Sequence, residues 1–143
     1  MGRTLSLDVG EVRIGIAISD LTNQLAQPYN VLKRRPEKLT FEKLKKIIIE
    51  KEVEKIIVGL PIRTDGSKGT QAEDTIKFCE KLKGEIPIPI EMFDERFTSK
   101  IAENLLIESG MRRKKRKEVQ DKIAAAIILQ GYLDSENKKQ NPF

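Results

Sequence analysis

The sequence contains no histidine and a single cysteine, Cys79. The absence of histidine excludes Ser-His-Asp and Cys-His catalysis, histidine general bases and histidine-ligated metal sites. One cysteine excludes intrachain disulfides and thiolate zinc clusters and fits a reducing compartment. No apolar run approaches the roughly 18–20 residues that a membrane span needs, and no signal-peptide pattern opens the chain. We therefore expect a soluble, cytoplasmic protein whose chemistry rests on carboxylates, lysines, hydroxyls and hard metal ions.

A length of 143 residues fits one domain, and no internal repeat or Pro/Ser-rich linker divides the chain. We expect a single domain over residues 1–135, followed by a polar tail over 136–143. The net charge is +5, from 27 Lys and Arg against 22 Asp and Glu. This excess comes from one uninterrupted run: Arg112, Arg113, Lys114, Lys115, Arg116 and Lys117. Such a run can bind a phosphate backbone, but taken alone it is better explained as a solvated loop.

The N-terminal third of the sequence is typical of β-structure. Apolar residues alternate with polar or small ones from Leu5 to Val9 and again from Val12 to Ile18, around Gly10-Glu11. Two such runs around a short glycine-containing turn predict an antiparallel hairpin. A third strand is predicted from Ala26 to Lys33, where Pro28 favours an edge position.

Beyond Pro36 the pattern changes to alternating helices and strands. We predict a helix at about 39–53, a strand at 55–59, a helix at 70–84 with a Thr70–Glu73 capping box, a strand at 86–93, helices at 98–110 and 118–133, and fraying beyond 135. A hairpin followed by βαβ crossovers gives an α/β fold. We expect a mixed five-stranded sheet with helices on both faces.

Three carboxylates fall where such a sheet gathers its ligands, beyond the carboxyl ends of the parallel strands. Asp8 lies near the end of the first strand, Glu95 follows the last strand, and Asp121 lies in the first turn of the last helix. Gly15 and Ala17 leave space on the face of the second strand that Asp8 shares. Hard oxygen ligands suit Mg²⁺ or Mn²⁺, and two such ions can activate a water and stabilise the leaving oxygen of a phosphodiester.

Each carboxylate also has a simpler interpretation. Asp8 can pair with Arg13 across the hairpin, Asp121 can complement the dipole of its helix, and Glu95 can be a surface residue. Taken singly, these interpretations are at least as well supported as the catalytic one. The catalytic interpretation depends on the convergence of all three side chains at one sheet edge.

A glycine-containing segment from Gly59 to Gly69 leads into the second predicted helix. It lacks the Gly-Lys-Ser/Thr of a Walker A motif. Its backbone N–H groups can hold a phosphate with the help of Arg63 and Lys68. An ordinary strand-to-helix loop explains the same residues equally well.

Four short blocks occur in order over nearly the whole chain. They are Leu7–Gly10 with Arg13–Ala17, Val58–Pro61 with Asp65-Gly66, Asp94–Ser99, and Asp121–Ala125 followed by Ile128-Leu129-Gln130. Together these blocks resemble the YqgF (RuvX) family, although each alone is a weak signal.

The resemblance implies an RNase H-like fold and a nuclease acting on the 5′ end of precursor 16S ribosomal RNA, with relatives regarded as Holliday-junction resolvase-like. It implies that Asp8, Glu95 and Asp121 are the catalytic and metal-binding carboxylates. The partners would be structured RNA in ribosomal precursor particles, or branched DNA, and the cofactor Mg²⁺ or Mn²⁺. We expect Arg13, Arg96 and the run from Arg112 to Lys117 to position phosphates.

Two other functions remain open from the sequence. The cation run fits a non-catalytic RNA-binding or ribosome-assembly factor on a nuclease-like scaffold. An Asp-x-Gly hairpin also begins actin-like and sugar-kinase-like phosphotransferases, but this chain is too short for their two-lobed nucleotide cleft.

Overall fold

Five strands form one mixed sheet in the computed structural model. The structure describes residues 2–61, 69–95 and 113–140, except for the side chains of residue 95, residues 113–118 and residue 140. The elements in chain order are β1 (Arg3–Val9), β2 (Arg13–Ser19), β3 (Ala26–Lys33), α1 (Glu37–Glu50), β4 (Val53–Pro61), α2 (Thr70–Glu85), β5 (Ile90–Glu95) and α3 (Arg113–Gln140). The strand order is β3-β2-β1-β4-β5. Strand β2 pairs antiparallel with β1 and β3, while β4 pairs parallel with β1 and β5. The predicted mixed five-stranded sheet is therefore confirmed.

The two faces of the sheet carry separate cores. On one face, α1 and α2 cover the apolar residues of the first hairpin, including Leu5, Leu7 and Ile16. On the other face, α3 packs against Ala17 and Ile57 in a smaller cluster. Helices thus lie on both faces, as the sequence predicts. None of the described helices is long and apolar enough to span a membrane.

The turn between β1 and β2 lies one residue later than predicted. Val9 pairs with Ile14, and the Gly10 N–H donates to the Arg13 carbonyl at 2.9 Å, so the loop residues are Glu11 and Val12. This register exposes 68% of Val12. In the same register Ile18, the last apolar residue of β2, pairs with Leu5 of β1 inside the core.

Several other boundaries differ from the sequence prediction. Helix α1 spans Glu37–Glu50 rather than 39–53, and β4 spans Val53–Pro61 rather than 55–59, because the positive φ of Glu52 ends the helix and starts the strand earlier. Strand β5 begins at Ile90 rather than at residue 86, because Pro87 and Pro89 have no N–H to donate to a ladder. Helix α3 spans Arg113–Gln140, so it begins five residues before the predicted start and continues beyond 135, where fraying was expected. Lysine, arginine and glutamate are strong helix formers, which explains both extensions.

Helix α2 begins at Thr70 as predicted, but without the predicted capping box. Gly69 is the residue that precedes the helix, and no side chain caps it; the Glu73 N–H instead donates to the Gly69 carbonyl at 3.1 Å. Strand β3 has its predicted bounds and lies at the edge of the sheet. Its register shifts opposite Pro28, as expected of a proline on an edge strand. The predicted helix at 98–110 lies outside the described residues.

Candidate active site

Helix α3 approaches the sheet closely at Gly15 of β2. A Cβ atom built on Gly15 would overlap the backbone carbonyl of Asp121 and lie 2.9 Å from the Lys122 nitrogen. Gly15 is also the residue directly opposite Asp8 in the β1–β2 register. The missing side chain at Gly15 therefore brings Asp121 beside Asp8, although 113 positions separate them in the sequence.

Helix α3 is held in this position by polar contacts from both of its sides. The buried Ser6 hydroxyl, two residues before Asp8, donates to the Ala125 carbonyl at 2.6 Å. The Gln130 side chain accepts from the Ala26 N–H at 2.8 Å and donates to the Gln24 carbonyl at 2.9 Å. No role for Ser6 is predicted from the sequence, although its place on the same face of β1 as Asp8 indicates that it faces the site.

Asp8 is a carboxyl group whose surroundings disfavour its charge. Burial and, to a smaller extent, the negative charge of Asp121 together raise the pKa of Asp8 from its usual 3.8 to about 7. Two carboxylates are thus held together at the carboxyl end of β1, and among the described hydrogen bonds and ion pairs Arg13 bonds Asp121. A divalent cation would remove this conflict, so the chemistry of the pair fits Mg²⁺ or Mn²⁺.

Arg13 contacts Asp121 rather than Asp8. The Arg13 Nε donates to Asp121 Oδ2 at 2.8 Å, with 41% of the Arg13 side chain and 27% of the Asp121 side chain exposed. The alternative in which Arg13 pairs with Asp8 across the hairpin is therefore wrong, because the turn at Glu11-Val12 places Gly15 in that position. A guanidinium group beside the carboxylate pair can also contact a phosphate that approaches it.

Glu95 is the last residue of β5, and its backbone pairs with Pro61 at the end of β4. This places it at the carboxyl edge of the parallel strands, two positions beyond Phe93, which packs in the cluster beneath α3. The Glu95 side chain is not among those that the structure describes. Within residues 2–61, 69–95 and 113–140, no group of three or more acidic or cysteine side chains has the geometry of a metal site. The participation of Glu95 stays a prediction.

The predicted phosphate-binding residues fall mainly outside the described part. Arg63, Lys68, Arg96 and Arg112 are not described, and of Arg113, Lys114, Lys115, Arg116 and Lys117 only the helical backbone is described. Five of the six residues in the cation run are thus helical rather than a loop. Counting eight residues from Arg113 at about 1.5 Å each, the start of α3 lies about 12 Å along its axis from Asp121.

Comparison with known proteins places the chain among nucleases. A family model described as "RuvX: Holliday junction resolvase" matches residues 2–135. The chain is 50% identical over 133 residues to a candidate pre-16S rRNA nuclease of Clostridioides difficile (strain 630), with 93% of this chain and 94% of that protein covered. It is 49% identical over 138 residues to a protein of the same name from Thermoanaerobacter pseudethanolicus, with 96% and 99% covered.

Solved structures share the fold at low sequence identity. T. thermophilus RuvC in complex with a Holliday junction substrate superposes with a TM-score of 0.56 at 13% identity, covering 96% of each chain. The fowlpox virus resolvase in complex with Holliday junction DNA gives a TM-score of 0.55 at 13% identity, covering 94% of this chain and 98% of that one. Both similarities support the RNase H-like fold that the family resemblance implies.

Proposed function

Because the chain belongs to the RuvX family of Holliday junction resolvases, we propose that it is a divalent-metal-dependent endonuclease in which Asp8, Glu95 and Asp121 hold the metal. The observation that carries this proposal is the pairing of Asp8 with Asp121 at the carboxyl end of β1. Holding two carboxylates together raises the free energy of the metal-free protein, and a bound cation offsets that cost.

Each residue of the proposed site has a separate task. Asp8 and Asp121 supply oxygen ligands from two elements that Gly15 allows to touch. Glu95 supplies a third ligand from the end of β5. Arg13, half exposed beside Asp121, contacts the phosphate and neutralises charge that develops on it. When bound, the metal supplies an activated water and a Lewis acid.

The proposed substrate is structured RNA, namely the 5′ end of precursor 16S ribosomal RNA in ribosomal precursor particles. The relatives at about half sequence identity carry the name pre-16S rRNA nuclease. The proteins whose structures contain Holliday junctions are 13% identical, so they support the fold and not the choice of substrate. Branched DNA is the second candidate substrate.

Cleavage of the two substrates tests this function directly. We expect purified protein with Mg²⁺ or Mn²⁺ to cut an RNA that spans the 5′ end of 16S rRNA, to cut a four-way DNA junction more slowly, and to cut neither in EDTA. Glu95→Gln should lower kcat by at least about 100-fold, since it removes a charged metal ligand. The control is Glu91→Gln in the same strand, whose ion pair with Lys55 at 3.1 Å is half exposed and contributes little.

Each outcome of this assay has a defined meaning. Cleavage that persists in EDTA would contradict metal dependence, and preferential cutting of the junction would make branched DNA the substrate. Tight RNA binding without cleavage under any metal condition would instead support the assembly-factor alternative.

The cation run at the start of α3 supports the proposed contact with nucleic acid. The first turn of α3 contains no acidic residue, and cations at the positive end of a helix dipole are unfavourable by about 0.3–1 kcal/mol each. The run is therefore poorly placed for stabilising its own helix. Phosphates bound there would offset the repulsion and would lie along the helix that carries Asp121.

Replacing Lys114, Lys115 and Lys117 together by Gln should weaken RNA binding and leave the affinity for Mn²⁺ unchanged. We expect the slope of log K against log salt concentration to fall by about 2–3, because each lost phosphate contact releases about 0.7–0.9 fewer counterions. The control is Lys138→Gln with Lys139→Gln at the other end of α3. Fluorescence anisotropy at several salt concentrations measures the slope, and equal slopes in the two variants would contradict the proposed contact.

A further inference from the structure

Arg34 is the one basic residue that is buried in the described part of the chain. Its side chain is 4% exposed, and its guanidinium group makes two hydrogen bonds to the Asp74 carboxylate on α2, Nη1 to Oδ2 at 2.6 Å and Nη2 to Oδ1 at 2.9 Å. The group also lies over the Phe78 ring, 5.3 Å from its centroid. The Asp74 side chain is 40% exposed, so the desolvation cost falls mainly on Arg34 and offsets much of the attraction within the pair.

Arg34 and its neighbour hold the turn that follows Asp8. The Arg34 Nη1 donates to the Gly10 carbonyl at 3.1 Å, the Arg35 Nη1 donates to the Glu11 carbonyl at 3.3 Å, and the Arg34 N–H donates to the Val12 carbonyl at 2.9 Å. Three consecutive carbonyls of the turn thus accept hydrogen bonds from two consecutive arginines.

Among the described residues, hydrogen bonds hold this turn more than packing does, since Val12 at its tip is 68% exposed. The turn and the first turns of α2 face each other across a cavity of about 440 Å³, lined by Glu11, Arg35, Thr70 and Glu73 among others. The Arg34–Asp74 ion pair lies along this cavity and connects the turn to α2. Asp8 lies two residues before Gly10, and Arg13 follows Val12. A shift of the turn would consequently move both residues of the site.

We propose that Arg34, oriented by Asp74, is a positioning residue of the nuclease site that fixes the β1–β2 turn and thereby the placement of Asp8 and Arg13. This inference rests on the proposed function. The hydrogen bonds of Arg34 go to Gly10 and Asp74 and not to Asp8 or Asp121, so it acts on the site through the backbone of the turn. The planar fork is required because one guanidinium group bonds both Asp74 oxygens and the Gly10 carbonyl, which a lysine ammonium cannot match in geometry.

The test compares Arg34→Met, Arg34→Lys and, as a control, Lys81→Met. The control removes an ion pair of 2.9 Å between Lys81 on α2, the helix that carries Asp74, and Glu37 on α1. Amide hydrogen exchange at Gly10 reports on the turn without metal, and calorimetric titration gives the Mn²⁺ affinity of the folded proteins. In Arg34→Met we expect exchange at Gly10 at least about tenfold faster and Mn²⁺ affinity about tenfold lower, as for residues that orient metal ligands. Arg34→Lys should be intermediate, and Lys81→Met should match wild type.

Each result either supports or overturns this role. Wild-type exchange at Gly10 in a folded Arg34 variant overturns the anchoring, and faster exchange with unchanged Mn²⁺ affinity overturns the effect on the site. If neither Arg34 variant folds while Lys81→Met does, the residue is structural and the proposal is overturned. A wild-type protein that binds no Mn²⁺ overturns the proposed function instead, while the exchange data still decide whether Arg34 holds the turn.

Discussion

Replacing Asp8 by Asn is expected to abolish cleavage and to stabilise the metal-free protein at the same time. Cleavage should be lost because the neutral amide is a poor ligand for Mg²⁺ or Mn²⁺. Stability should rise because the Asp8 carboxylate is buried beside Asp121, and an amide at this position carries no charge to desolvate or repel. Thermal unfolding in EDTA at pH 8 measures the gain, which we expect to be about 2–4 kcal/mol.

The pH dependence of this gain follows from the direction of the shift. The pKa of Asp8 is about 7 in the folded protein and near 3.8 when unfolded. Between these values the folded state binds more protons than the unfolded state, so metal-free wild type loses stability as pH rises from about 4 to about 7. Asp8→Asn lacks this loss. The two proteins should therefore be similar in stability at pH 4 and differ fully at pH 8.

A matched control separates the site from acidic residues in general. Asp134→Asn removes an exposed carboxylate from the same helix that carries Asp121, and it should leave both cleavage and stability unchanged. Undiminished cleavage by Asp8→Asn would remove the metal-dependent mechanism. If Asp8→Asn is only as stable as wild type at pH 8, the surroundings of Asp8 do not disfavour its charged form.

The sheet and the family could be predicted from the sequence because their signals are local. Alternation over a few residues defined β1 and β2, and the four short blocks identified a family that comparison confirms. Boundaries were less predictable. The start of β5 depends on which residues have an N–H that can donate a hydrogen bond to β4. The extent of α3 depends on the helix propensity of lysine and arginine, but a run of these residues also fits a solvated loop.

The contacts within the site could be predicted only in part, because they depend on distances between elements. Gly15 was recognised as leaving space beside Asp8, but the sequence did not indicate that the backbone of Asp121 fills it. The pairing of Arg13 followed from a one-residue change in the turn, which alternation alone does not define. Arg34 carried no signal at all, since a buried arginine and a surface arginine look the same in a sequence.

Replacing Gly15 by Ala is expected to disrupt the site as severely as losing a ligand. The new Cβ would occupy the position of the Asp121 carbonyl, and backbone atoms cannot rotate away as a side chain can. Helix α3 must therefore shift from the sheet. We expect a loss of about 3 kcal/mol in the free energy of unfolding from overpacking, together with a fall in kcat of about 100-fold from a displacement of the order of 1 Å. Denaturant unfolding and single-turnover cleavage measure the two effects.

Gly84→Ala is the matched control for Gly15→Ala. Gly84 lies near the end of α2 with no atom within 4 Å of a Cβ built on it, so the same substitution there should be neutral or should stabilise the helix by about 0.5 kcal/mol. If Gly15→Ala behaves like Gly84→Ala, α3 does not touch the sheet at this point, and Asp121 has no structural reason to lie beside Asp8. If Gly15→Ala remains folded but loses Mn²⁺ binding, the close approach of α3 at Gly15 is what assembles the metal site.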